Sequence, residues 1–170
     1  MNVYKVNEKA EIPEYATDGS ACFDIKGCFS HGDRLKSYNA WNKEMPIVVK
    51  GVGNNPDAFQ LPPTVRVLVP TGLIFDIPEG HVMKMYIRSG TALKKGLTLV
   101  NGVGIIDSDY VEQSYIMLEN VSESLVTIEH GERLAQCLIE KTLRMEITET
   151  TERPTQKSER DGGFGSTGTK

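Results

Sequence analysis

The chain has no positive charge to spare. Its 19 Lys and Arg residues are outnumbered by 23 Asp and Glu, for a formal charge of −4. That balance excludes general electrostatic capture by nucleic acid or by an anionic membrane surface. No apolar run approaches the ~18 residues of a membrane span, and residues Met1 to Lys5 begin no apolar leader, so the expectation is a cytoplasmic protein without a membrane anchor. The three cysteines, Cys22, Cys28 and Cys137, are odd in number and lack C-x-x-C spacing. That is not the pattern of a metal or redox site, and they read as reduced thiols in or near the core. The three histidines, His31, His81 and His130, have no sequence-near partner and read as surface residues. A sustained 3.6-residue period is also missing, so helix should be scarce.

What is present is a series of short runs rich in Val, Ile, Leu, Tyr and Thr between Gly and Pro punctuation. They fall at Ile47–Lys50, Val65–Pro70, Leu73–Ile77, Val82–Ile87, Leu97–Val100, Tyr115–Glu119, Leu125–Glu129 and Leu134–Glu140. This spacing predicts a strand at each, with one short helical turn over Ser89–Leu93 before Gly96. Many short strands with regular turn signals argue for an all-β sandwich, jelly roll or barrel. The length fits one domain, over residues 1–150, that buries roughly two thirds of its unfolded surface. Two segments break the pattern. Residues 30–63 turn polar and irregular and hold Trp41, the one tryptophan; so long a run reads as an inserted surface excursion or functional loop, a candidate contact for a protein partner. From Thr148 onward the sequence is nearly devoid of apolar side chains except Phe164, so residues 151–170 are expected to form a flexible arm.

Candidate chemistry centres on Leu99 to Tyr110. Two apolar runs flank turn residues Asn101, Gly102 and Gly104 and lead into Asp107, Asp109 and Tyr110. The turn chemistry predicts a β-hairpin with Val100, Ile105 and Ile106 in its strands and with Asp107 and Tyr110 at the start of the return strand. A strand end places a carboxylate rigidly, and exposed hairpin backbone can bind a flat, hydrogen-bonding ligand as an added strand would. In Ile87 to Ala92 a strand ends in Arg88, Ser89 and Gly90, whose N–H groups can form an anion nest. In His130 to Gln136 a Gly turn precedes an apolar strand carrying Arg133 and Gln136. Gly163 to Gly168 matches G-x-G-x-x-G letter for letter, but a dinucleotide fingerprint needs a strand before it and a helix after it. The polar context offers neither. A Gly-rich arm with Phe164, two hydroxyls and Arg160 instead suits closure over a ligand, with the ring stacking and the N–H groups and hydroxyls holding phosphate oxygens.

Together these stretches resemble the trimeric dUTP pyrophosphatase (dUTPase) family. Ala16 to Ile25, which includes Asp24, looks like the first family motif, Arg88-Ser89-Gly90 like the second, and Asn101 through Gln113 like the third. Gly131 through Gln136 is similar to the fourth and Arg160 through Gly168 to the fifth. The resemblance implies a jelly-roll-like all-β subunit, a homotrimer with active sites at subunit interfaces, and hydrolysis of dUTP to dUMP and pyrophosphate with Mg²⁺. Such a reaction keeps uracil out of DNA and supplies dUMP for dTMP synthesis. By the family pattern, Asp107 holds and activates the water that attacks the α-phosphorus. Asn101 and the backbone around Ile105, Ile106 and Tyr115 read the uracil edge, while Tyr110 packs under the deoxyribose and leaves no space for a 2′-hydroxyl. Ser89, Gly90 and Gln136 would hold phosphates, with Arg88 supporting from another subunit. Phe164 would cover the uracil and Gly165 join it in substrate binding, with Arg160, Ser166 and Thr167 on the terminal phosphate. Asp24 and Arg133 read as architectural. With no dense carboxylate cluster, Mg²⁺ is expected to ride on the triphosphate rather than on protein ligands.

The chemistry is coherent with this resemblance. An ordinary Asp carboxylate, with pKa ~3.9, is a weak base at neutral pH, so its value lies in orienting one water in line with the leaving pyrophosphate. An acidic protein that meets a polyanion must supply Arg and metal locally. The sequence departs from the family pattern at Cys22 and Glu112, where Gly is common, at Ile87, where Pro commonly precedes the Arg, and in the spacing of Arg160, one residue closer to Phe164. Two rival readings share the scaffold. A dCTP deaminase has a general-base Glu on the strand after the third motif, where Met117 stands, with Glu119 two residues on. A regulatory protein would contact its partner through residues 30–63.

Overall fold

A computed structural model gives the fold and describes residues 1–159 and 162. In chain order the first eight strands are β1 (Asn2–Lys5), β2 (Phe23–Lys26), β3 (Arg34–Leu35), β4 (Ser37–Tyr38), β5 (Ile47–Val48), β6 (Ala58–Leu61), β7 (Arg66–Pro70) and β8 (Leu73–Asp76). After β9 (His81–Ile87) comes the helix α1 (Ser89–Lys95), then β10 (Leu97–Leu99), β11 (Gly104–Asp107), β12 (Tyr115–Asn120), β13 (Val126–Glu129) and β14 (Arg133–Lys141). The chain is almost entirely β, with a jelly-roll-like arrangement of short antiparallel strands. All eight runs expected as strands contain one, and the expected helical turn is α1.

Two four-stranded sheets carry the structure, one ordered β10-β12-β7-β4 and the other β11-β9-β14-β2. Period-2 burial decides which side chains meet between them. In β12, Ile116, Leu118 and Asn120 are buried while Tyr115 and Met117 are exposed. Val67, Val69, Leu97, Leu99, Ile116 and Leu118 of the first sheet join Ile25, Met83, Met85 and Cys137 of the second in one apolar cluster, with Phe29, Phe59 and Phe75. Burying a side chain of that size stabilises by roughly 2 kcal/mol, more than an exposed pair such as Lys84–Glu140 contributes. The interior therefore holds the sandwich. Burial also pushes the Cys137 thiol far up, which keeps it protonated and inert.

The excursion is better anchored than its composition suggests. β4 joins the first sheet beside β7, β3 pairs with β5, and β6 pairs with β13. Leu35, Val49, Ala58, Phe59 and Leu61 are buried, so residues 30–63 send apolar side chains inward at intervals too irregular to announce a strand. Its tip is a braced loop. The Asn39 side chain accepts hydrogen bonds from the N–H groups of Trp41 and Lys43, both at 3.0 Å. The Arg66 guanidinium donates to the Asn39 carbonyl at 2.9 Å and to Asn42 Oδ1 at 2.7 Å. Trp41 projects from this frame 85% exposed.

α1 stops where Gly96 adopts φ 62° and returns its N–H to the Ala92 carbonyl. A Cβ there would lie 2.8 Å from Cβ of Ser122, so both the turn and the close approach demand glycine. Asn120 holds the far end of β12. Its amide donates to the carbonyls of Leu61 at 2.8 Å and Ser124 at 2.7 Å and accepts from the Ser122 N–H and hydroxyl. Asn120→Ala would take its side-chain donor from the buried Leu61 carbonyl and its acceptor from Ser122, while the Ser124 carbonyl keeps the Ser122 hydroxyl at 3.2 Å, and the expected loss is about 1–3 kcal/mol. A lower urea midpoint with an unchanged m-value is the measurement that checks it.

Candidate active site

The hairpin expected across Leu99 to Tyr110 does not form. β10 pairs with β12 in one sheet and β11 pairs with β9 in the other, so the turn between them carries the chain from sheet to sheet. Turn residues announce a reversal but not its pairing partner, and here buried Leu97 and Leu99 commit β10 to the first sheet. Gly102, at φ 68°, supplies the left-handed residue of this turn and donates to the Leu99 carbonyl at 3.0 Å. Asp107 is the last residue of β11 rather than the first of a return strand, and Tyr110 follows in a turn whose N–H donates to the Asp107 carbonyl at 3.2 Å.

This crossing opens a gap between two strand edges. The last bond on that side of β12 runs from the Val100 N–H to the Met117 carbonyl, at 3.0 Å. Main-chain groups two residues apart on a strand point the same way, so the N–H and C=O of Tyr115 face the gap where β10 has turned away. β11, at the edge of its sheet, bounds the gap from the other side. Between them lies a cleft of about 470 Å³ whose lining includes Asn101, Ile105, Ile106, Asp107, Tyr110 and Tyr115. Met85, Leu99 and Ser114 form its buried lining and Tyr115 and Met117 its exposed lining, with half-buried Ile106 and Leu68 between. A flat ligand with donors and acceptors on one edge fits a slot between two open strand edges.

The Tyr110 phenol donates to the Gln113 carbonyl at 3.0 Å. Burial, helped by Tyr115 and the Glu112 carboxylate, raises its pKa above the ordinary tyrosine value, so the phenol is neutral and its ring is fixed. Asp107 borders a second, polar cleft of about 720 Å³ on its other side, shared with His81, Asp109, Thr142 and Arg144. The last expected strand thus ends beside Asp107. Beyond it Leu143, Met145 and Ile147 are 92%, 78% and 96% exposed, an alternating apolar face that nothing covers among the described residues.

The remaining residues gather elsewhere. Asp24 forms ion pairs with Arg88 at 2.8 Å and Arg133 at 3.2 Å, and the Arg88 guanidinium also donates to the Arg133 carbonyl at 3.3 Å. Ser89 and Gly90 begin α1, and Gln136 lies opposite Tyr86 and Asp24. None of Arg88, Ser89, Gly90 and Gln136 lines the cleft of Asp107. The register explains why. Asp107 faces Val82, and Arg88 follows six residues later, about 20 Å along the strand. Gln136 is four residues along and two strands across, roughly 13 Å by 10 Å. Arg160, Phe164, Gly165, Ser166 and Thr167 lie outside the described residues.

The dUTPase family profile matches residues 55–168. The chain belongs to the dUTPase family. A deoxyuridine 5′-triphosphate nucleotidohydrolase of Hydrogenobaculum sp. is 37% identical over 168 residues, covering 99% of this chain and 97% of that one. Its counterpart from Rhizobium johnstonii is 44% identical over 161 residues, 95% of this chain and 87% of that one. The fold matches the dUTPase of Staphylococcus bacteriophage 80alpha, in a structure with dUpNHpp, at TM-score 0.73 and 23% identity over 98% of this chain and 97% of that one. For a dUTPase of Streptococcus mutans the TM-score is 0.65 at 23% identity, over 86% and 99%.

Within this dUTPase fold the deaminase alternative loses its base. Met117, an apolar thioether, lines the cleft, while Glu119 lies opposite Arg66 and Thr98 and does not line it. Sequence reasoning did not foresee Leu68, Met85 and Leu99 in the cleft, nor His81 beside Asp107. Each arrives through long-range pairing and carries no local signal.

Proposed function

We propose that the chain hydrolyses dUTP to dUMP and pyrophosphate, with Asp107 holding the attacking water. The observation that carries this reading is one cleft in which Asp107 and the fixed Tyr110 ring border a slot between two open strand edges. The uracil edge pairs with main chain near Ile105, Ile106 and Tyr115 and with Asn101, which favours a base that presents both donor and acceptor atoms. The sugar lies on Tyr110, and Asp107 orients a water in line with the leaving pyrophosphate. Pyrophosphate release compared across dUTP, dCTP, dTTP and UTP tests it; turnover no faster with dUTP than with the others sinks it.

The phosphate-binding set comes from another copy of the chain. Arg88, Ser89, Gly90 and Gln136 sit at the far end of the sheet from Asp107 in the same copy, beyond the length of a triphosphate. The apolar face at Leu143, Met145 and Ile147, exposed among the described residues, supports the same assembly, and a homotrimer brings three such half-sites together. Among the described residues no three His, Cys, Asp or Glu converge on one point. The chemistry of the site suits Mg²⁺ held by the triphosphate and waters rather than by protein ligands, in keeping with the ion's preference for retained waters and phosphate oxygens. An ion held there would supply neutralisation of charge on the leaving pyrophosphate.

Tyr110→Ala should relax the discrimination between dUTP and UTP by about tenfold or more, since the barrier to a 2′-hydroxyl is steric. The ratio of the two kcat/KM values measures it. Unchanged rejection of UTP would place selectivity elsewhere.

A second reading has one observation in its favour. Trp41 is held out to solvent by a hydrogen-bonded frame, and rigid exposed aromatics anchor protein interfaces. Contact with a protein partner through residues 30–63 is compatible with catalysis at a separate cleft.

A further inference from the structure

One polar side chain lies where its neighbours are apolar. The buried lining of the cleft is Met85, Leu99 and Ser114, with half-buried Ile106 beside them, and of these only Ser114 carries a hydroxyl. Ser114 is 3% exposed, and its Oγ is buried without a hydrogen-bond partner, alone in this among side-chain atoms of the described residues. Its main chain is already committed. The N–H donates to the Leu73 carbonyl at 2.9 Å, and the C=O accepts from the Thr71 N–H at 3.2 Å and from Thr71 Oγ1 at 2.7 Å. Anything Ser114 offers to the cleft must therefore come from Oγ.

An unpaired buried hydroxyl is costly, and natural interiors pair such groups or keep them for a ligand. Alanine would fill this position without that cost. We propose that Ser114 is a specificity-determining residue of the nucleotide site: as dUTP enters, Oγ turns about χ1 into the cleft and donates its hydrogen to a carbonyl oxygen of the uracil ring. The inference rests on reading the cleft as the dUTP site. The turn is a change between staggered wells, which a serine makes with little displacement of volume.

Hydrogen-bond arithmetic favours the base as the recipient. The polar edge of uracil presents acceptor, donor, acceptor. Tyr115, the next residue in the chain, turns one N–H and one C=O toward the cleft and can meet one acceptor and the donor. The two carbonyl oxygens together offer four lone pairs, so a lone pair is left for a further donor even with the main chain near Ile105 and Ile106 and with Asn101 on the same edge. Asn101 at the rim and Ser114 toward the interior need not compete, because a carbonyl oxygen has two lone pairs. An apolar interior with one hydroxyl also sharpens selection, since a base that cannot accept there leaves the hydroxyl unpaired.

The test uses the full-length protein, wild type and Ser114→Ala, with dUTP turnover and calorimetric dUMP binding measured on the same preparations. The 2-thio and 4-thio analogues of each nucleotide replace one carbonyl oxygen at a time by a poor acceptor. Loss of one neutral hydrogen bond should raise the KM for dUTP and the Kd for dUMP by about five- to tenfold, with kcat within about twofold. One thio analogue should bind the wild type more weakly by a similar factor and show no such penalty with Ser114→Ala. A residue serving only structure would not produce that coupling. As a folding control, Ser114→Ala, freed of its unpaired hydroxyl, should unfold no earlier than the wild type on heating. Normal wild-type turnover together with an unchanged dUMP affinity in Ser114→Ala overturns this inference alone, as does a thio penalty equal in both proteins. Absence of dUTP turnover in the wild type overturns the inference and the functional reading beneath it.

Discussion

Asp107→Asn should fold normally, bind dUTP, and turn it over roughly 10²- to 10⁴-fold more slowly, the range typical of a lost general base. Folding is spared because the Asp107 side chain is exposed at the end of β11 and makes no hydrogen bond or ion pair among the described residues. Binding is spared because the amide keeps the shape of the carboxylate, while the base edge and sugar are held by Tyr115 and Tyr110. What the amide cannot do is accept a proton from water as the oxygen attacks phosphorus. Turnover of dUTP alongside equilibrium binding of dUMP separates the two effects. A correctly folded variant with near-normal turnover would remove Asp107 from its assigned role.

Second in size is the effect of the C-terminal arm. Truncation after Pro154 should leave an assembled protein that binds dUTP weakly and turns it over slowly, because it deletes Arg160, Phe164, Ser166 and Thr167. Mixing it with full-length Asp107→Asn should then restore activity that neither has alone. β14 ends beside Asp107 of its own copy, yet twenty residues of extended chain span about 65 Å, enough to serve a neighbour. In randomly exchanged oligomers about a quarter of the sites would combine an intact Asp107 from one copy with an arm from another. Recovery approaching that fraction supports closure across the interface. Confirmed subunit exchange with no recovery means that each arm serves its own copy.

Much of this architecture is legible in the chain because half-buried strands alternate visibly. The runs Val65–Pro70 and Tyr115–Glu119, expected as strands from their Val, Ile, Leu and Tyr content between turn residues, hold the strands Arg66–Pro70 and Tyr115–Asn120. The error at Asn101 and Gly102 has an instructive origin: local turn chemistry fixes a change of direction, whereas the pairing partners, β12 for one side and β9 for the other, are set by long-range packing. β2 escaped notice because its alternation lasts only four residues, Phe23 to Lys26. Leu143, Met145 and Ile147 alternate just past the run expected as a strand to Glu140, and sequence reasoning took no account of them. Of the candidate site, Asp107, Tyr110, Asn101 and Tyr115 were named from motif resemblance and do meet in one cleft. The separation of Arg88 and Gln136 from them follows only from strand register. Ser114 gave no signal at all, because a serine next to a tyrosine at a strand start is unremarkable until its hydroxyl is found without a partner.

The braced tip at Trp41 bears on how this protein can be followed in solution. Its indole, the one tryptophan in the chain, is already bathed in water in the folded state. Emission from it should change little when the sandwich unfolds, so tryptophan fluorescence is a poor reporter of denaturation here, and far-ultraviolet dichroism or calorimetry must serve instead. The same isolation makes the indole a selective optical probe of residues 30–63. A blue shift or quenching on adding a second molecule, with no change in dichroism, would register contact at that tip alone.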